Sequence, residues 1–133
     1  MPQVDLKART RAFANAIVRL VDRLPRSRSA DAIGNQLLRA GTSVGANYRS
    51  ACRARSRKEF IAKMGLVEEE GDEAQFWLDV LQDCGFCDRH HGAQLHQEAG
   101  QLVAIAVSSI RTARRTPTTI PHSAFRIPHS PCS

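Results

Sequence analysis

No run of eighteen apolar residues occurs in this chain, so no segment reads as a membrane-crossing helix. The opening residues MPQVDLKART hold no apolar stretch of the kind a secretory leader carries, and the expected location is cytoplasmic. The period-two alternation of a half-buried strand is missing too, which argues against a sheet. No serine, histidine and acid stand in a hydrolase arrangement, and no glycine-rich phosphate loop follows a strand, so enzymatic activity is not expected. No glutamate has a histidine three residues on, which removes the Glu-x-x-His pairs of di-iron helical bundles. The acidic run Glu68, Glu69, Glu70, Asp72 and Glu73 therefore reads as a charged face, without metal or other cofactor. Cysteine is sparse, at four residues, and without an export signal these read as reduced thiols. Cys84, Cys87, His90 and His91 are all zinc-ligand types, but their spacing is too compact for a structural site that ties distant segments together. The Cys-x-x-Cys pair follows a helix where a redox pair would precede one, so neither metal nor redox chemistry is expected there.

What the chain does contain is helical periodicity. Its 133 residues, 42% hydrophobic and 24% charged, suit one domain with a core of its own. The clearest stretch runs from Ser43 to Leu81. Phe60, Met64, Val67, Gly71, Ala74, Leu78 and Leu81 step by four and three, the spacing of a helix that lays one stripe against its neighbours. Ser56 followed by Glu59 is a capping box that starts this third helix at Arg57, and Gly85 ends it near Cys84. Gly71 lies on the stripe itself and implies close approach by another helix. Helix one spans about Asp5 to Leu24, with Leu6, Thr10, Phe13, Ile17, Leu20 and Leu24 inward, and Pro25 stops it. Ser29 is the expected cap of helix two, from about Ala30 to Ala54. Ile33, Leu37, Ala40, Val44 and Ala51 face inward, while Gly41, Gly45 and Ala46 are small enough to admit a close neighbour. Helix four spans about Asp88 to Arg115, its stripe being Leu95, Ala99, Leu102, Ala106, Ser109 and Ala113. Short connections between four such helices predict an all-α, up-down-up-down antiparallel four-helix bundle over residues 1–115. Residues 116–133 hold four of the six prolines and the string IPHS twice, and are expected to form a disordered tail.

The net charge of +6 conceals a segregation. Residues 1–58 carry 13 Lys and Arg against 3 acids, residues 59–83 carry 1 against 8, and the rest carries 5 against 2. Such asymmetry suits either a polyanionic partner for the basic part or complementary faces that meet between subunits. Arg49, Arg53, Arg55, Arg57 and Lys58 are five cations within ten residues at the junction of helices two and three. Guanidinium groups match phosphate oxygens, so this elbow is the candidate contact for RNA or DNA phosphates. Only Tyr48 among aromatics accompanies the run, which speaks against base stacking. Phe76, Trp77 and Val80 lie off the main stripe of helix three, where one side of a single bundle cannot bury them all, and form the candidate oligomer interface.

Several strings in order, SVGANYR (43–49), RARS (53–56), EFI (59–61), EEEGDE (68–73), FWL (76–78) and SSIRTAR (108–114), resemble the four-helix-bundle family of the 23S rRNA intervening-sequence proteins. The resemblance covers about residues 5–115. It implies a left-handed four-helix bundle assembled as a ring-shaped homopentamer, without known catalytic residues. It also implies kinship with the accessory protein of diversity-generating retroelements, which binds nucleic acid and a reverse transcriptase through a basic ring. The acidic run on helix three distinguishes this chain from that relative. The functional expectation is thus a non-enzymatic oligomeric binding module that contacts nucleic acid. The alternative is a structural or adaptor protein with a protein partner.

Overall fold

A computed structural model describes residues 5–115, which form α1 (Leu6–Asp22), α2 (Arg28–Cys52), α3 (Arg57–Asp83) and α4 (Arg89–Arg115). The expected tail at 116–133, its repeated IPHS and Cys132 lie outside the described residues.

Each helix begins where a short polar side chain can satisfy a free amide. Asp5 accepts from the Ala8 N–H, Ser27 from Ala30, Ser56 from Glu59 and Asp88 from His91, at 3.0 to 3.2 Å. The bounds of α2 and the cap bonding of α3 differ from the sequence reading. The cap of α2 is Ser27 rather than Ser29, so this helix runs over 28–52 rather than 30–54. Capping at Ser27 places Asp31 in the first turn, at the positive end of the helix dipole, and leaves Ala30 free to enter the core. At α3 the Ser56 half of the capping box forms, while the Glu59 carboxylate accepts from the Arg55 N–H at 3.2 Å, pinning the elbow one residue further back. Gly85 ends α3 with φ of 70°, and Phe86 N–H donates to the Leu81 carbonyl across it, the bond pattern of a left-handed helix stop.

The contacts between helices fix their order. Helices adjacent in sequence pack together, and a smaller α1–α4 contact closes the circuit. Thr10 and Ile17 of α1, and Leu24 just beyond its end, meet Gly45, Gly41 and Gly34 of α2. Arg39 of α2 meets Glu70 and Glu73 of α3, while Gly71, Gln75 and Gln82 of α3 meet Val103, Gly100 and Gly92 of α4. Arg9 and Leu20 lie beside Glu98 and Leu95. Along the α1–α2 and α3–α4 pairs one number rises as the other falls, which is compatible with an up-down-up-down order, and no strand occurs among the described residues.

The core follows the stripes. All seven stripe residues of α3 are buried, and the stripes of the other helices meet them, with Ile33, Leu24 and Leu95 left half-buried at its margin. The glycines of α2 act as the small-residue pattern suggests. A Cβ on Gly41 would lie 2.8 Å from the Ile17 side chain, so α1 approaches as closely as a bare backbone allows. Ala46, by contrast, faces outward. On α3 the close neighbour of Gly71 is the Val103 side chain, 2.7 Å from where a Cβ would stand. Two buried hydroxyls satisfy themselves locally, Thr10 donating to the Leu6 carbonyl at 2.7 Å and Ser109 to Ile105 at 2.8 Å.

Candidate nucleic-acid interface

The basic elbow is built by two caps set back to back. The C-terminal end of α2 stops at Cys52, Arg53 and Ala54 turn the chain, and Ser56 restarts it as α3. Ala54 is buried and anchors the turn from below, so the charged residues on either side project outward. Arg49, Arg53, Arg55 and Lys58 are exposed, and Arg57 is half-buried. Tyr48 is a core residue, 1% exposed, and burial pushes its phenol well above the usual range. It is no stacking platform for bases, so what the elbow offers a ligand is charge and donors.

Cations that the sequence reading left out gather at the same end. The start of α1 brings Lys7 and Arg11 to the rim of a groove of about 440 Å³, opposite Arg49, with Ala8, Gly45 and Ala46 among its lining. The antiparallel order also carries the end of α4, with exposed Arg111, Arg114 and Arg115, toward the start of α3. The topology itself was the available signal, because in an antiparallel bundle the first residues of α1 and the last of α4 share an end with the α2–α3 turn.

The acidic segment is partly answered within the chain. Arg39 bridges Glu70 and Glu73 of α3, which raises its guanidinium pKa chiefly through the Glu73 bond. The Trp77 indole N–H donates to the same Glu73 at 3.1 Å, and this bond first, then Arg39, holds the carboxyl below its ordinary value. Glu69 and Asp72 stay exposed on the outer face. Of the three interface candidates, Phe76 is 56% exposed while Trp77 and Val80 are half-buried. Phe76 stands edge-on to Trp77, with ring centroids 4.9 Å apart.

At the α3–α4 turn, Cys84 and Cys87 are free thiols. Cys52 is not, so among the described residues the expectation of reduced thiols holds for Cys84 and Cys87 and fails at Cys52. Burial raises the Cys87 pKa, and His91 pairs through Nδ1 with Asp88 at 2.7 Å. Among the described residues no three His, Cys, Asp or Glu side chains come together as a metal site. No helix there is long and apolar enough to cross a membrane.

The family described as 23S rRNA-intervening sequence protein matches residues 3–108. The chain belongs to that family. The match takes in the whole elbow and the Phe76–Val80 segment, and stops short of Arg111, Arg114 and Arg115. A crystal structure of a protein of unknown function from the S23 ribosomal protein family of Bacteroides thetaiotaomicron is similar, with 30% identity and a TM-score of 0.74. The similarity covers 79% of this chain and 97% of that one. No curated protein sequence matches. Membership in the 23S rRNA-intervening sequence protein family accounts for the four-helix fold; it assigns no residue a role.

Proposed function

We propose that this chain is a non-enzymatic, cytoplasmic, oligomeric binding module that contacts RNA or DNA phosphates through the basic end of its bundle. The observation that carries this reading is an imbalance of pairing. Arg39 meets its carboxylates within the chain, whereas Arg49, Arg53, Arg55 and Lys58 are exposed with no ion pair among the described residues. Maintaining such like charges close together disfavours the compact state unless a polyanion relieves them. The family name refers to 23S rRNA, which makes structured RNA the first ligand to try. Lys7, Arg11, Arg111, Arg114 and Arg115 extend the footprint beyond the elbow. Five subunits, the number that the family resemblance implies, would repeat the basic end around a ring and multiply its contacts.

The test is binding of a structured RNA and a duplex DNA to the full chain at two salt concentrations. Phosphate contacts predict affinity that falls steeply with salt, with the slope reduced by about one for each contacting cation removed. Arg53→Gln, Arg55→Gln and Lys58→Gln together should weaken binding to both ligands. Salt-insensitive binding, or binding that survives the triple substitution, defeats the proposal. No binding at low salt would leave the adaptor reading, which the exposed Phe76 on an acidic face supports, as the better account.

A further inference from the structure

Two surfaces of this bundle are incomplete in complementary ways. The first is a groove of about 610 Å³ between the C-terminal half of α1 and the start of α4. Leu20, Leu24, Phe86 and Leu95 give it an apolar lining, and Arg19 and the C-cap Arg23, one turn apart at the end of α1, stand at its edge. Both arginines are exposed, with no ion pair among the described residues. The second is the outer face of α3. There Phe76 is the most exposed large hydrophobic side chain of the described residues, and Glu69, Asp72 and Asp83 share its face one or two turns away. One surface is apolar and edged by Arg19 and Arg23, its one acid, Asp88, being paired with His91, while the other is an aromatic framed by carboxylates.

We propose that the α1–α4 groove receives Phe76 of a second copy of this chain, with Arg19 and Arg23 facing that copy's Asp72 and Asp83. This deepens the oligomeric reading above and rests on it. Three physical arguments select a second copy as the occupant. An aromatic ring in an apolar groove ringed by polar contacts is the usual anchor of a protein interface. Opposite charges then meet across the rim and set the register. The third argument is height. Phe76 and Asp83 lie in the C-terminal third of α3, and the groove lies at the end of α1 and the beginning of α4. In the antiparallel order these belong to the same end of the bundle. Copies can then be related by rotation about an axis along the bundle without sliding, the condition for a head-to-tail contact to close into a ring. Every basic elbow would point to the opposite rim of that ring, where a polyanion meets them together.

The experiment is size exclusion with light scattering on the full chain, with circular dichroism as a check on folding. The unmodified chain should be an oligomer. Phe76→Ser should raise the dissociation constant at least about tenfold with helical content unchanged, as loss of an interface anchor does. Arg19→Glu with Arg23→Glu should do the same. Adding Asp72→Lys and Asp83→Lys to that pair reverses both sides of the contact and should restore assembly, which a merely structural effect of the arginine changes would not. An unmodified chain that is monomeric at micromolar concentration removes the second copy as occupant and the oligomeric reading with it. An oligomer that survives Phe76→Ser or the arginine pair, or one that the charge reversal fails to restore, overturns this pairing while leaving oligomerisation in place.

Discussion

The inner and outer faces of α3 come from the same 27 residues and obey opposite rules. On the inner face no stripe side chain from Phe60 to Leu81 exceeds 5% exposure, and the repeat is unbroken. On the outer face Glu69, Asp72, Phe76, Asp79 and Asp83 stand in water without a hydrophobic period. The inner face is dictated by the need to bury one stripe against α2 and α4. Nothing in the fold requires the outer composition, since any soluble side chains would leave the bundle intact. An aromatic kept there among carboxylates is therefore the part of the helix that speaks to partners.

The sharpest way to break this contrast is to truncate one residue on each face. Leu78, fully buried, lies on the stripe, and Leu78→Ala should cost about 2–5 kcal/mol through lost transfer energy and the cavity left behind. Asp72→Ala should change stability by no more than about 0.5 kcal/mol. Urea denaturation at a protein concentration where the oligomeric state of both variants matches the unmodified chain would measure the difference. Comparable losses at the two sites would show that the outer face is also structural.

Two glycines of α3 sharpen the comparison at smaller scale. A Cβ at Gly71 would stand 2.7 Å from Val103, whose branched side chain has little rotameric freedom in a helix, whereas Gly65 has nothing within 4 Å. Gly71→Ala should therefore destabilise, by about 1–3 kcal/mol if Val103 cannot yield. Gly65→Ala should stabilise by about 0.5–1 kcal/mol, because alanine restricts the unfolded chain and suits a helix. Melting curves of the two variants should move in opposite directions. A shift of the same sign in both would mean that propensity rather than packing governs these positions.

The same contrast explains what could be read in advance. The stripe of α3, its start at Arg57 and its glycine stop at Gly85 were legible because periodicity, caps and breakers are local signals. Ser27 was missed as the cap of α2 because two serines stand two residues apart and only tertiary packing of Ala30 chooses between them. For the candidate site, the elbow cations could be named because they are contiguous. Lys7, Arg11 and the arginines at the end of α4 could not be grouped with them until the antiparallel order placed distant segments at one end. The bond from Arg39 to Glu70 and Glu73, separated by more than thirty residues in sequence, was equally out of reach. Charge counting alone had left that acidic segment looking unpartnered.

Between the two faces of α3 runs a narrow flank, where Glu73 takes the Trp77 indole N–H and Arg39. Here the expected effect is the smallest and its sign is fixed. The folded carboxyl sits below its ordinary value of 4.5, led by the indole bond, so folding favours the ionised form. Its contribution is fully present above the unfolded value and is lost as pH falls through the folded one. Because Glu73 is largely solvent-screened, the contribution is a fraction of about 1 kcal/mol, as for exposed pairs generally. Glu73→Gln keeps an acceptor for the indole and removes only the charge. The variant should therefore fall slightly below the parent at pH 7, and this deficit should shrink as the pH is lowered beneath the ordinary carboxylate range toward pH 3, with Trp77 fluorescence reporting the local change. A variant whose deficit is the same at both pH values would show that the flank acts through shape rather than charge.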